Sequence, residues 1–112
     1  MHKEKIIRLE KMSGIGKVVT FRRKSVPGQA DRIGIIEDEV YFMVNDYKHM
    51  IQRIKFAENV SWDGSQYGYR TGYYTYDKNM ERIRWGQFTQ FLTEKEYREL
   101  LSKAKAKGWD IF

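Results

Sequence analysis

Asp31, Glu39, Asp46 and Lys55 are the residue types that cleave a phosphodiester. Carboxylates can hold a divalent cation and activate water, while a lysine meets the charge that develops on the phosphate. Nothing in their spacing forces the four together. A small phosphate-directed enzyme such as a nuclease is therefore one reading of the chain, and no residue is assigned a catalytic role. Glu37-Asp38-Glu39 supplies the hard oxygen donors that Mg²⁺ takes, but the same composition makes an ordinary solvated hairpin tip. "GIGK" at 14–17 has glycines without the spacing of a phosphate loop, and Val18 stands where a Ser or Thr is needed. His49, among Tyr47, Met50 and Ile51, reads as a structural histidine. The chain has no cysteine and only two histidines, so thiolate metal sites are excluded and a zinc site lacks ligands. No metal and no cofactor is expected.

A different chemistry is written in "QYGYRTGYYTYD", residues 66–77, which holds five of the eight tyrosines. It is followed by "DKN" and "MERIRWGQFTQFL". Asp77-Lys78-Asn79 suits a three-residue hairpin loop with Asn79 in the left-handed position. That register pairs Tyr76 with Met80, Tyr74 with Arg82, Gly72 with Arg84 and Arg70 with Gly86. One face then carries Tyr67, Tyr69, Tyr73, Ile83 and Trp85, fit for a core. The other displays Gly68, Arg70, Gly72, Tyr74, Tyr76, Arg82 and Arg84. A two-residue loop would change which faces meet and put Tyr74 beside Ile83.

On the displayed face, arginines would neutralise phosphates, tyrosine rings would stack on bases, and glycines would let a strand approach the polymer. Exposed Tyr–Arg pairs also stabilise sheets with no ligand at all. Arg22, Arg23 and Lys24, beside the Pro27-Gly28 turn, form a second basic patch; cations at a strand end also deter edge pairing. The candidate nucleic-acid-binding residues are thus Arg22, Arg23, Lys24, Arg70, Tyr74, Tyr76, Arg82 and Arg84. The aromatic RNP pattern, a KH-type GxxG and a zinc knuckle are all missing, so DNA and RNA are not distinguished.

Charge fits this layout. Residues 1–30 hold eight Lys/Arg and two Glu, which is +6, the net charge of the whole chain. Residues 31–66 come to −3 (four basic, seven acidic) and residues 67–112 to +3 (nine basic, six acidic). Two basic ends that meet in space would make an anion-binding surface.

The elements that must position these residues follow from pattern. Ile and Val number 16 against four Leu, and β-branched side chains favour strands. "HKEKIIRLEKM" is either a short helix, with Ile6, Leu9 and Ile7 inward and Ser13-Gly14 at its end, or a basic arm. Residues 17–24 alternate as a strand. "DRIGIIEDEVYFMVND" reads as a hairpin turning at Glu37-Asp38, with Ile35 opposite Val40 and Ile33 opposite Phe42. Residues 46–53 fit a short helix through Tyr47, Met50, Ile51 and Ile54, followed by a strand to residue 62. In "LTEKEYRELLSKAKAKGW", Thr93 and Glu96 form a capping box, and Leu92 and Tyr97 a staple. Tyr97, Leu100, Leu101 and Ala104 make the buried stripe, Gly108 ends the helix and Trp109 folds back.

These elements sum to one domain over 1–112: residues 1–14 an arm or short helix, 15–92 mainly β, 93–108 helix. The fold class is α+β, a twisted antiparallel sheet of five or six strands, open or barrel-like, with the C-terminal helix packed on it. No apolar run approaches 18 residues and "MHKEKIIRLEKM" lacks a signal-peptide core, so the chain reads as soluble, cytoplasmic and free of membrane. Its leading function is nucleic-acid binding through the Tyr/Arg hairpin. The alternative is a protein-interaction or homo-oligomeric module using the same aromatic face, since Tyr, Trp and Arg dominate binding hot spots.

Overall fold

The computed structural model describes residues 3–21, 32–57, 65–86, 92–109 and 111. Helix α1 (Lys3–Lys11) leads into strands β1 (Val18–Phe21), β2 (Arg32–Val44), β3 (Tyr47–Phe56), β4 (Tyr67–Tyr76) and β5 (Ile83–Gly86), and helix α2 (Glu94–Ala106) closes the order. The strands form one antiparallel sheet in sequence order, β1-β2-β3-β4-β5. The α+β class expected from the excess of Ile and Val is the class observed.

Two expectations about the middle of the chain are overturned. There is no hairpin at Glu37-Asp38: β2 runs unbroken through both residues. The reversal comes later, at Asn45-Asp46, where Asn45 adopts a left-handed φ of 54° that its short polar side chain tolerates. Residues 47–53 are strand and not helix. The helical spacing misled because β3 is covered on both faces, and Lys48, His49, Met50, Ile51 and Gln52 are all buried. A strand buried on both sides loses the alternation by which strands are recognised. β1 realises part of the expected 17–24 strand. Residues 22–31 and 58–64, including the expected Pro27-Gly28 turn and the strand's continuation to 62, lie outside the described residues.

The chain divides into two compact units: residues 1–13, 40–51 and 71–112, and residues 14–39 and 52–70. In the first, Leu9 of α1 packs with Met50, Tyr74 and Tyr76 against one face of the sheet. Alternation along β3 turns His49 and Ile51 to the other face. There the Glu96 carboxylate of α2 acts on His49, and Lys103 Nζ of the same helix donates to the Tyr41 carbonyl at 2.8 Å. In α1, Glu4 in the first turn and Arg8 and Lys11 in the last complement the helix dipole. Ile6 is half-buried as expected, while Ile7 is exposed.

In the second unit Gly34, Ile36, Gln52 and Ile54 are buried, and Phe56 lies across Gly68. A Cβ at Gly68 would stand 2.5 Å from the Phe56 ring, so this position needs a residue without one. β1 is attached through a turn at Gly16 (φ +90°) and the pair Gly16 N–H to Ile36 carbonyl and Ile36 N–H to Lys17 carbonyl. "GIGK" is therefore a turn that delivers β1 to the sheet.

The C-terminal helix starts and stops where its residues indicate. The Glu96 N–H donates to Thr93 Oγ1 (3.2 Å) and the Thr93 N–H to Glu96 Oε1 (2.8 Å). Gly108 takes φ +76° and Trp109 is buried. The stripe is narrower than expected. Leu100 and Ala104 are fully buried, whereas Leu101 is half-buried and Tyr97 exposed. Leu100→Ala should therefore cost about 2–5 kcal/mol through the cavity it leaves. Thr93→Ala should cost nearer 1 kcal/mol, roughly the worth of one cap. Leu101→Ala should fall well below Leu100→Ala. Urea denaturation of the three variants checks the order, and equal losses at Leu100 and Leu101 would contradict this docking.

Candidate functional site

The tyrosine hairpin forms, but in another register. Tyr76 pairs with Ile83, Thr75 with Arg84, Tyr74 with Trp85 and Tyr73 with Gly86. The connection is not the three-residue Asp77-Lys78-Asn79 loop. It spans residues 77–82, with the Asp77 N–H donating to the Arg82 carbonyl (2.9 Å) and the Met80 N–H to the Asp77 carbonyl (3.0 Å). Met80, not Asn79, holds the left-handed position (φ 58°). Asp77 organises this loop. Its Oδ1 accepts the Glu81 N–H at 3.0 Å. That bond is the main reason its pKa sits below the usual value; the Arg82 and Asn79 N–H groups and the Arg84 charge act the same way, against desolvation.

The register is displaced by an odd number of residues, and side chains alternate with period two. Residues expected to share a face are therefore separated. Tyr74 and Tyr76, expected to be displayed, are buried against Leu9 and Met50. Trp85 meets Tyr74 edge-on, with ring centroids 5.0 Å apart. The Tyr76 hydroxyl donates to the Lys5 carbonyl of α1 at 3.1 Å, and Lys5 Nζ donates to the Met80 carbonyl. Tyr69, Tyr73 and Trp85, expected to be buried, are only half-buried.

The candidate residues consequently do not form one surface. Arg70 belongs to the second unit, where its Nε donates to Oε1 of the fully buried Gln52 at 2.6 Å. It is half-buried and serves the interior. Arg82 and Arg84 are exposed at the hairpin end. Arg84 keeps 67% of its side chain in solvent, with its Nε 3.9 Å from Asp77 Oδ2. Arg22, Arg23 and Lys24 lie outside the described residues.

The carboxylates of Glu37-Asp38-Glu39, considered for a cation and, at Glu39, for catalysis, have partners of their own. Glu37 pairs with Arg53 at 3.7 Å, Asp38 accepts the Glu39 N–H at 2.9 Å, and Glu39 Oε1 accepts the Gly14 N–H at 2.6 Å. Asp46 is engaged through its backbone carbonyl, which accepts the Thr75 hydroxyl at 2.8 Å, and not through its carboxylate. Asp31 lies outside the described residues. Among the described residues, no three His, Asp or Glu side chains gather where a metal ion could be held.

What the residue pattern did not reveal is on the outer face of β1 and β2. Val18 pairs with Ile35 and Thr20 with Ile33, so one face of these strands carries three β-branched apolar side chains. They are 65% (Val18), 49% (Ile35) and 43% (Ile33) exposed. With Gly34, Phe56 and Ala57 they line an open groove of about 490 Å³, and Glu37 and Lys55 are its charged lining residues. A face so open and so apolar is unusual for a sheet that packs only against water. The signal was present in the sequence: Ile33, Ile35 and Ile36 are apolar on both strand faces, and only one face could be a core.

No family model, no curated protein and no solved structure matches the chain.

In the first unit, the buried His49 is the group expected to tie stability to pH. His49 is 5% exposed, its ring 6.2 Å from that of Tyr47 and 5.9 Å from that of Tyr73. Its Nδ1 has no hydrogen-bond partner among the described residues. Burial lowers its pKa from 6.5, and the Glu96 carboxylate on α2 offsets only part of that. As pH falls below the unfolded value of 6.5, the unfolded chain takes up the proton first. Stability should therefore be full above that value and decline through the lowered native pKa. Glu96, whose pKa is held below 4.5 mainly by the Thr93 backbone N–H, contributes its own loss only at lower pH. Urea midpoints measured between about pH 7.5 and 5 should slope downward on acidification in the wild type and flatten in His49→Gln. An unchanged slope would assign the dependence to another group.

Proposed function

We propose that this chain is a protein-association module that docks through the outer face of β1 and β2. One observation carries the reading: Val18, Ile33 and Ile35 stand side by side on that face and are open to water. Covering apolar surface gains roughly 25 cal/mol per Å², so an exposed groove of this kind favours association. β-branched side chains lose little freedom when covered, because χ1 is already restricted. With Tyr74 and Tyr76 buried, the anchors of this reading are the side chains of the aliphatic face and not those of the tyrosine hairpin. Glu37 and Lys55 provide a polar rim.

A photo-crosslinking residue at position 35 tests the reading in cells. It should yield a discrete protein adduct that disappears when Ile33→Lys is added. The same probe at position 84 should not yield that adduct. If position 35 yields none, or if its adduct survives Ile33→Lys, the reading is wrong.

A second reading, nucleic-acid binding, is favoured by the exposure of Arg82 and Arg84 on a chain of net charge +6. With Tyr74 and Tyr76 buried, such binding would rest on phosphate contacts and not on base stacking. Replacing Arg82 and Arg84 together by Ala should leave folding nearly unchanged, because both are exposed. It should flatten the salt dependence of oligonucleotide binding by roughly two units, about 0.7–0.9 for each lost phosphate contact. Titration of wild type and variant at two salt concentrations checks this, and no binding by wild type at low salt would end the reading.

A further inference from the structure

The displaced hairpin register puts Tyr74 and Tyr76 on the opposite face from Arg84 and brings a different ring to it. Thr75 pairs with Arg84 and Tyr73 with Gly86, so Tyr73 and Arg84 project from one face of adjacent strands as diagonal neighbours. Gly86 holds the ring there: a Cβ at that position would stand 2.5 Å from the Tyr73 ring, which lies across the bare backbone. Tyr47, on the neighbouring strand β3, meets Tyr73 edge to face, with ring centroids 5.2 Å apart and planes at 80°. We propose that Tyr47, Tyr73 and Arg84, all in the first unit, form a site for single-stranded nucleic acid. A base stacks in the tyrosine corner and its phosphate meets Arg84. This rests on the nucleic-acid reading above, and adds to its phosphate contacts a stacking contact that the buried Tyr74 and Tyr76 cannot make.

Side-chain surroundings suit such a ligand. Tyr47 is 41% exposed, and Tyr73 and the buried His49, whose ring is 5.9 Å from that of Tyr73, back it from the sheet. Among the described residues, the rings of Tyr41, Tyr67 and Tyr76 each carry a lysine or arginine of the chain itself. No such cation covers Tyr47 or Tyr73, so their π faces are not spent internally. Arg84 has five N–H donors, and only its Nε approaches Asp77, at a distance too long for a hydrogen bond. The nearby carboxylates are directed elsewhere: Asp77 Oδ1 accepts the Glu81 N–H and Glu96 Oε1 the Thr93 N–H. A ring corner beside an exposed guanidinium matches a nucleotide, which joins a flat π system to an anion. In a duplex the base faces are already stacked on their neighbours, so the corner selects unpaired strand.

Stacking and phosphate contacts can be read apart. An abasic oligomer keeps every phosphate and lacks every base. Anisotropy titrations of the full chain with a short oligothymidylate and with an abasic oligomer of equal length should show tighter binding of the former. The preference should be about fivefold to a hundredfold, the worth of one stacked base. Tyr47→Ala should erase that preference without changing the salt slope, and Tyr47→Phe should keep it. Arg84→Ala should keep the preference and flatten the salt slope by about 0.7, one phosphate contact on a single strand. Circular dichroism melts show whether each variant is folded. If Tyr47→Ala is not, Tyr47→Leu, which keeps apolar bulk without a π face, replaces it.

Equal binding of the two oligomers by wild type would overturn the stacking inference and leave the nucleic-acid reading with phosphate contacts alone. A preference that survives the loss of the Tyr47 ring would also overturn it, as would a salt slope indifferent to Arg84→Ala. No binding of either oligomer by wild type at low salt rejects both the inference and the reading it rests on.

Discussion

The first unit is organised around a buried amine. Lys48 is 3% exposed in the middle of the sheet, and its Nζ donates to the carbonyls of Glu10 (2.8 Å) and Met12 (2.5 Å) at the C-terminal end of α1. Removing an ammonium from water costs several kcal/mol unless its surroundings replace the lost hydration. Carbonyls at a helix C-terminus do so, because the helix presents its partial negative charge there. The Tyr41 ring, 4.5 Å from Nζ, adds its negative face, and the Tyr41 hydroxyl donates to Glu10 Oε2 at 2.8 Å. That bond to Glu10 is also what chiefly raises the Tyr41 pKa. Lys48 thus fixes the end of α1 over the sheet, and everything α1 covers depends on it.

What α1 covers includes the two tyrosines that would otherwise be the natural stacking platform. Leu9 supplies the apolar contact to Tyr74 and Tyr76, Lys5 satisfies the Met80 carbonyl, and the Lys5 carbonyl accepts the Tyr76 hydroxyl. A buried phenol is stable only when its hydroxyl finds a partner, and the helix backbone provides one. The chemistry of the tyrosines is thereby turned inward. On β1 and β2 the reverse holds, for aliphatic side chains face water there. The two functional readings differ because these two faces exchanged the roles their residue types suggest.

The parts of this fold that were legible in the sequence are those determined by local chemistry. Thr93, Glu96 and Gly108 bound α2 through hydrogen bonds and a backbone conformation that span only a few residues. The dominance of Ile and Val over Leu pointed to the sheet. The parts that were not legible depend on a parity or on a distant partner. An odd displacement at the 77–82 connection moved Tyr74 and Tyr76 to the side of Trp85 and Ile83, and no propensity distinguishes the two registers. Tyr47, Met50, Ile51 and Ile54 looked helical because the coverage that makes β3 apolar on both faces comes from α1 and α2, far away in the chain. Glu37-Asp38 looked like a turn on composition alone. Its side chains bond instead to Arg53 and to the neighbouring backbone, which lets the strand continue.

The double coverage of β3 also sets the order in which the molecule can be completed during synthesis. The face that Met50 shares with Leu9 closes only after Tyr74 and Tyr76 have been made. The opposite face, bearing His49 and Ile51, waits for α2, whose Glu96 carboxylate acts on His49. A chain growing from its N-terminus therefore carries its central strand with at least one apolar side uncovered until α2 has left the ribosome. Contacts between segments so far apart in sequence form late and slowly. α2 is therefore the segment whose arrival closes the last open face of the central strand.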